Sequence, residues 1–201
     1  MAPWRKRLLI ATSFITADAG EYFRLPLDRT VIMGSRLPDL ASNRKGAAPM
    51  KVISSIDDAV GSVGQELGVG QWKEIDQKRI DAFADVTEDY QWIHIDVDRA
   101  RVQSPYGTTI AHGFLTLSMI PALSRDNFRV ENAKMAINYG LNKVRFLAAV
   151  PAGGRIRARS ELIDASKVDD STVNLVVKHT IELDGSDKPA AVAETIVRVL
   201  F

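Results

Sequence analysis

The last third of the chain alternates between apolar and polar residues, which is the pattern of strands that bury one face. Breaks at Gly153-Gly154 and Asp184-Gly185 are typical of the tight turns that join antiparallel strands. The pattern predicts five strands, which are Met135–Tyr139, Lys143–Val150, 155–162, 173–183 and 190–200.

Ahead of these strands, Ile110–Leu123 is the most apolar segment that is compatible with a helix. Its apolar side chains would point in almost every direction around the helix axis, so we expect this helix to be buried on all sides. Thr108 and Thr109 are suitable residues to cap its start, and Pro121 is expected to bend or end it.

The segment before residue 110 predicts a short strand within Val69–Ile75 and two helices, capped by Asp76 and Asp96. Between the two helices, residues 85–94 are mostly polar and predict a loop. One fully apolar helix needs apolar contacts all round, and a curled antiparallel sheet wrapped around it provides them. The order of elements therefore predicts an α+β fold of this kind.

Residues 1–49 differ from the rest of the chain. They begin with the basic cluster Arg5-Lys6-Arg7 and a short apolar stretch, and show no sustained period afterwards. We interpret them as a poorly ordered extension, or as upstream sequence ahead of a natural start at Met50, with one domain over residues 50–201. A cleaved targeting peptide is the alternative, because Ala17-Asp18-Ala19 has the form of a cleavage site.

Composition excludes several classes of protein. The 201 residues contain no Cys, which rules out disulfides, thiolate metal sites and a cysteine nucleophile. The net charge of +1 gives no basic footprint for nucleic acid. No apolar run approaches the roughly 20 residues that cross a bilayer. We expect a cytoplasmic protein without a membrane span or a nucleic-acid partner.

The first candidate for chemistry is a carboxylate and an imidazole, Asp89 and His94, in the predicted loop. On a helix they would point about 140° apart, whereas on a turn they can converge on one water. Histidine is the usual proton carrier near neutral pH. By spacing alone, however, a capping Asp and an incidental His are the better explanation of the pair.

The second candidate is His112-Gly113, in or near the first turn of the apolar helix. Free N–H groups and the helix dipole favour negative charge there, and glycine has no side chain to block a ligand. Such a site can hold a carbonyl oxygen that becomes an oxyanion. The alternative interpretation is that Gly113 only allows close packing.

Taken together and in this order, the two segments resemble the MaoC-like dehydratases, the family of (R)-specific enoyl-CoA hydratases. Asp89, His94 and Asp96 fall where that family has its motif residues, and Ile110-Ala111-His112-Gly113 is a literal match. The nodulation-protein-N-like members are most similar, through Gln-Trp-Ile-His, Gly-Thr-Thr-Ile-Ala-His-Gly and Asn-Tyr-Gly-Leu-Asn-Lys-Val-Arg-Phe, here at 91–94, 107–113 and 138–146. The resemblance covers about residues 51–201.

The resemblance implies a hot-dog fold, a homodimer, and an acyl-CoA or acyl-carrier-protein thioester as partner and substrate. It implies that Asp89 and His94 bracket a water that adds to a trans-2-enoyl thioester, with the Gly113 N–H on the thioester oxygen. It implies no metal and no redox cofactor. Further substrate-binding residues are expected among His112, Gln91, Trp92 and Asn138.

The chain departs from the family pattern at two points. Gln91-Trp92 replaces Asn-Pro, and a serine that hydrogen-bonds the catalytic carboxylate in some members aligns near Pro121, where Ser118 or Gln91 would have to substitute. A hot-dog acyl-CoA thioesterase and a non-catalytic acyl-thioester-binding module therefore remain as alternatives. His179 is expected to be a buried structural residue, and the stripe of Arg155, Arg157 and Arg159 a solvated face.

Overall fold

An antiparallel sheet is the main element of residues 50–201, the part of the chain that the computed structural model describes. The predicted extension over residues 1–49 lies outside the described residues. The strands are β1 (Lys51–Ile53), β2 (Glu66–Val69), β3 (Lys73–Ile75), β4 (Phe128–Val130), β5 (Met135–Phe146), β6 (Gly154–Lys167), β7 (Thr172–Leu183) and β8 (Ala191–Leu200).

Six of these strands form one sheet. The order is β2-β6-β7-β8-β5, and β3 also pairs with β6. All pairings within this sheet are antiparallel, and register shifts interrupt β2, β5 and β6. Such bulges bend strands, which lets the sheet curl. A separate parallel pair joins β1 to β4.

The helices lie mostly between the short early strands and the long late ones. They are α1 (Ile56–Gly61), α2 (Gln77–Thr87), α3 (Trp92–Ile95), α4 (Val97–Gln103), α5 (Gly113–Ser118) and α6 (Ile120–Ser124). The caps predicted from sequence are confirmed, because the carboxylate of Asp76 accepts the Arg79 N–H and that of Asp96 accepts the Arg99 N–H.

The core lies between the helices α5 and α6 and the inner face of the sheet. Leu115, Met119 and Leu123 from the helical segment pack with Ile156 and Ile181 from the strands. A second apolar cluster joins α1 and β1 to the other end of β6, β7 and β8. The predicted α+β architecture, an antiparallel sheet around a central helical segment, is confirmed.

The central helical segment differs from the prediction in detail. Its first helix begins at Gly113, because Ile110 forms a bridge with Pro151 and the Ala111 N–H donates to the Val150 carbonyl at 2.8 Å. Thr108 and Thr109 therefore do not cap it. The helix is interrupted at Met119, two residues before Pro121, which has no N–H to donate.

Burial on all sides was also expected, and this is wrong at Phe114, whose side chain is 68% exposed. Three further predictions were wrong in their boundaries. The strand expected within Val69–Ile75 is two strands, β2 and β3, and the two strands expected on either side of Gly140 are one bulged strand, β5. The expected loop over residues 85–94 contains the end of α2 and most of α3.

Candidate active site

Three of the predicted site residues lie together near the start of α5. One carboxylate oxygen of Asp89 and one ring nitrogen each of His94 and His112 lie within 4.8 Å of one another. Two groups that hydrogen-bond a shared water can be up to about 5.5 Å apart, since each bond is about 2.7–2.9 Å long. These positions are therefore compatible with one water between Asp89 and His94.

His94 lies on the single turn of α3, and a backbone carbonyl fixes its tautomer. Its Nδ1 is 2.7 Å from the carbonyl oxygen of Ile110. Because a carbonyl oxygen only accepts, Nδ1 carries the proton and Nε2 carries the lone pair. The Ile110 N–H donates in turn to the Ile93 carbonyl at 3.0 Å. Backbone and imidazole together thus join α3 to the segment that leads into α5.

Gln77, the first residue of α2, holds the same two segments from another side. Its side-chain N–H donates to the His94 carbonyl at 2.8 Å, and its side-chain oxygen accepts the Thr109 hydroxyl. The sequence analysis missed this residue. A glutamine in the first turn of a helix has no distinctive signal, because its partners are 17 and 32 residues away in the chain.

The electrostatic environment keeps His94 neutral. Burial lowers the pKa of His94 and outweighs the Ile110 hydrogen bond, which raises it; nearby His112 lowers it further and nearby Asp89 raises it. The residue is 7% exposed. A neutral imidazole with Nε2 unprotonated is the form that accepts a proton from water near pH 7.

His112 is the N-cap residue of α5 and is 2% exposed. Its ring stacks on that of His94, with 3.8 Å between the centroids and 29° between the planes, and Phe83 of α2 lies 5.1 Å away. Its Nε2 is 3.0 Å from the backbone carbonyl oxygen of Asp89. Its Nδ1 is buried and has no hydrogen-bond partner among residues 50–201.

Asp89, His94 and His112 have the composition of a metal site, but their arrangement favours proton transfer. The lone pairs of an imidazole lie in its ring plane, and these two rings are stacked, so their lone pairs run along two neighbouring planes rather than toward one centre. Each ring also uses one nitrogen to donate to a carbonyl. That the reaction needs no metal stays a prediction.

Gly113 is the first residue of α5, so its N–H has no acceptor within the helix. A Cβ at this position would lie 3.0 Å from the ring of Phe146. The absence of a side chain thus lets Phe146 pack directly over the start of the helix. Phe114 completes this contact, with its ring centroid 5.9 Å from that of Phe146 in an edge-on arrangement.

A cavity of about 320 Å³ opens beside His94 and Gly113. Half of its lining residues come from the last residue of β5, the loop that follows at 147–150, and Ala190, the residue before β8. The lining residues are His94, Tyr106, Ile110, Ala111, Gly113, Thr116, Phe146, Leu147, Ala148, Ala149, Val150 and Ala190. Tyr106 and Phe146 are additions to the residues expected from sequence.

The other predicted substrate-binding residues lie elsewhere. Gln91 is the exposed N-cap residue of α3, and Trp92 is half-buried, with the Arg99 guanidinium 4.3 Å above its ring. Asn138 lies on β5 and lines a second cavity of about 430 Å³, together with Ser118 and Pro121. None of these three predicted residues lines the cavity at His94.

Neither Ser118 nor Gln91 takes the place of the family serine in this geometry. The Ser118 hydroxyl donates to the Phe114 carbonyl at 2.7 Å, a bond back along its own helix. Gln91 makes no side-chain capping bond. The backbone carbonyl of Asp89 is instead bonded by His112, which is a different solution to holding this part of the chain.

His179 is buried, as expected. Its Nδ1 lies 2.9 Å from the Ser160 hydroxyl and its Nε2 3.1 Å from the Thr195 hydroxyl. Burial lowers its pKa to about 4. The stripe of arginines on β6 is paired with carboxylates, Arg155 with Asp184, Arg157 with Glu182, and Arg159 with both Glu182 and Glu66. These pairs neutralise the stripe, in agreement with a solvated face.

Comparison with known proteins shows the family of this chain. A family model described as a MaoC like domain matches residues 58–183. The chain is 48% identical over 149 residues to 3-hydroxyacyl-thioester dehydratase Z of Mycobacterium tuberculosis (strain ATCC 25618 / H37Rv), which covers 74% of this chain and 98% of that protein. It is 40% identical over 148 residues to Nodulation protein N of Rhizobium leguminosarum bv. viciae, which covers 73% and 92%.

Among solved structures, the (R)-hydratase from A. caviae involved in PHA biosynthesis aligns with a TM-score of 0.54 at 23% identity, over 67% of this chain and 94% of that one. The likeness confirms the predicted hot-dog fold. The chain belongs to the MaoC-like dehydratase family. No helix within residues 50–201 has both the length and the apolar character needed to cross a membrane.

Proposed function

We propose that this protein is an (R)-specific enoyl-thioester hydratase, which reversibly adds water to a trans-2-enoyl thioester to give the 3-hydroxyacyl thioester. The observation that carries the proposal is the pairing of Asp89 with a neutral His94 beside the open start of α5. The relative named 3-hydroxyacyl-thioester dehydratase Z, which is similar over nearly its whole length, supports the same class of reaction.

In the proposed reaction, one water lies between the Asp89 carboxylate and His94 Nε2. One of these groups takes a proton as the water oxygen forms a bond to Cβ of the substrate. The electron pair of the Cα–Cβ double bond moves to the thioester, and its oxygen accepts the Gly113 N–H as enolate charge develops. A proton is then delivered to Cα, and the double bond has been exchanged for one C–O and one C–H bond.

The tautomer of His94 supports its part in this scheme. Since Nδ1–H is held by the Ile110 carbonyl, the nitrogen that remains to accept a proton is Nε2. When His94 becomes imidazolium, the same carbonyl and the nearby Asp89 stabilise the added charge. Proton transfer by a group placed in this way is worth about 10²–10⁴-fold in rate.

The substrate carrier is CoA or an acyl carrier protein in this proposal, and the proposed location is the cytoplasm. The proposed reaction uses no metal and no redox cofactor, since side chains and water move every proton. The small apolar wall formed by Ala111, Ala148, Ala149 and Ala190 supports an acyl group in the cavity at His94.

A homodimer is part of the proposal. β5 is the last strand on one side of the sheet, so one of its backbone edges is unpaired within residues 50–201. Met135, Tyr139, Leu141 and Phe146 on this strand are each about half exposed. An edge strand with exposed apolar residues tends to pair with another chain, and a second copy of this protein would cover it. Light scattering of the purified protein tests this directly.

The experiment that tests the function is an assay of hydration with trans-2-enoyl-CoA substrates of increasing chain length. The loss of absorbance of the conjugated thioester measures the rate, and chiral analysis identifies the product. A thioesterase would release free CoA from saturated acyl-CoA, which a thiol reagent detects. A binding module would bind acyl-CoA saturably without turnover. Hydration with (R) product and no CoA release supports the proposal, and either other result contradicts it.

A further inference from the structure

His112 is not used by any step of the proposed reaction. It is the most buried of the three clustered residues and contacts both of the others. Its Nε2 is occupied by the Asp89 carbonyl, and its Nδ1 is buried. A buried imidazole that stacks on the His94 ring and hydrogen-bonds the backbone of Asp89 is placed to hold these two residues rather than to react.

The hydrogen bond of His112 has a defined direction. Its Nε2 lies 3.0 Å from the Asp89 carbonyl oxygen, which only accepts, so Nε2 carries the proton. Nδ1 is then unprotonated, and this agrees with a buried nitrogen that has no partner among the described residues. His94 has the opposite tautomer, with the proton on Nδ1.

The segment that this bond holds has little regular structure of its own. Asp89 follows Glu88, the residue that ends α2 in the left-handed conformation with φ 58°, and precedes Gln91, the N-cap of α3. Asp89 is exposed and belongs to neither helix. The position of its carboxylate therefore depends on what fixes the backbone at this point.

We infer that His112 is a positioning residue, whose Nε2–H fixes the backbone carbonyl of Asp89 and thereby sets the Asp89 carboxylate against His94 and the start of α5. The inference rests on the proposed function. His112 is suited to the task because its own backbone caps α5, so one residue links the carboxylate, the imidazole and the oxyanion site. Its stacking on His94 fixes the relative position of the two rings.

Two substitutions separate the hydrogen bond from the ring. His112→Gln keeps an N–H donor of similar reach and loses the aromatic ring, whereas His112→Phe keeps a stacking ring and loses the donor. We expect His112→Gln to retain kcat within a few-fold. We expect His112→Phe to lower kcat by about tenfold or more with little change in KM, since a misplaced catalytic group costs up to about 10²-fold.

Thermal unfolding of both variants controls for the fold, because a merely structural role would change stability and kcat together. A kcat for His112→Phe equal to that of the parent overturns the inference. So does an equal loss in both variants, because the donor would then not be what matters.

A measurement without turnover keeps the inference separate from the proposed function. The chain has three histidines, so ¹⁵N-histidine NMR spectra can be assigned by single substitutions. We expect the His112 signals of a protonated Nε2 and an unprotonated Nδ1, with the reverse for His94. If the parent does not hydrate any substrate, the proposed function fails, and the spectra alone decide the inference. An unprotonated His112 Nε2 overturns it.

Discussion

The Nδ1–H of His94 donates to the carbonyl oxygen of Ile110 across 2.7 Å, and this bond joins the two sequence segments that resemble the family. It fixes the imidazole orientation and leaves Nε2 as the basic nitrogen. It also uses the carbonyl of a residue that was expected to be helical. Had the helix started at residue 110, that carbonyl would have been directed along the helix axis instead of toward His94.

The Asp89/His94 pair predicts a large effect of isosteric substitution. We expect Asp89→Asn and His94→Gln each to lower kcat for enoyl-CoA hydration by about 10²–10⁴-fold, because each removes a proton carrier. The double variant should be little worse than the poorer single variant, since the pair acts on one water. Circular dichroism checks that the fold is kept, and single variants as fast as the parent would contradict the assignment.

The environment of His94 predicts the acid limb of the pH profile. The reactive form is neutral, and burial lowers the pKa of His94 below its usual value near 6.5. Activity should therefore persist below pH 6.5 and fall only as the pH drops through the lowered pKa. The profile of kcat/KM reports this group in the free enzyme. A midpoint at or above pH 6.5, with the protein still folded, would contradict it.

Gly113 and Phe146 predict a rescue experiment. In Gly113→Ala, the new methyl group meets the Phe146 ring at 3.0 Å, so the ring must move, and because it lines the cavity, kcat/KM should fall. The cost in stability should be about 1 kcal/mol, as the ring is half exposed and can shift. Phe146→Leu combined with Gly113→Ala should recover part of the activity.

The matched control for that pair is Phe146→Leu alone, which should retain most activity. Chemical denaturation of all four proteins gives the coupling energy between the two positions. A Gly113→Ala variant with unchanged stability and unchanged activity would show that Phe146 does not restrict the start of α5.

His179 predicts a loss of stability in mild acid. Its pKa in the folded protein is about 4, whereas in the unfolded chain it is about 6.5. Between these values the unfolded chain binds a proton that the folded protein does not, so stability falls as the pH drops. From pH 7 to pH 5 this group alone should cost about 2 kcal/mol in the free energy of unfolding.

His179→Gln provides the comparison, because glutamine can keep bonds to Ser160 and Thr195 and does not titrate. Urea unfolding at both pH values should show a smaller pH dependence in the variant. His94 contributes in the same direction in both proteins, so the difference between them isolates His179. Equal pH dependence in parent and variant would mean that His179 is not buried in its neutral form.

The sequence alone determined much of this protein. Alternation on β6, β7 and β8 required a sheet with one buried face, and the carboxylates of Asp76 and Asp96 capped helices as expected, because both signals depend on neighbours in the chain. The alternation and the caps follow from side-chain chemistry and spacing, which a sequence contains. Asp89, His94 and Gly113 were predicted as site residues from the resemblance of two local segments to a known family.

Only the tertiary structure decided how those residues act on one another. The late start of α5 depends on the Ala111 N–H reaching Val150, and the tautomers of His94 and His112 depend on carbonyls 16 and 23 residues away. The position of Asn138 in a second cavity likewise depends on distant segments, since its neighbours there come from β7, β8 and α6. Contacts between distant segments depend on the packing of the whole sheet, and no local pattern contains them.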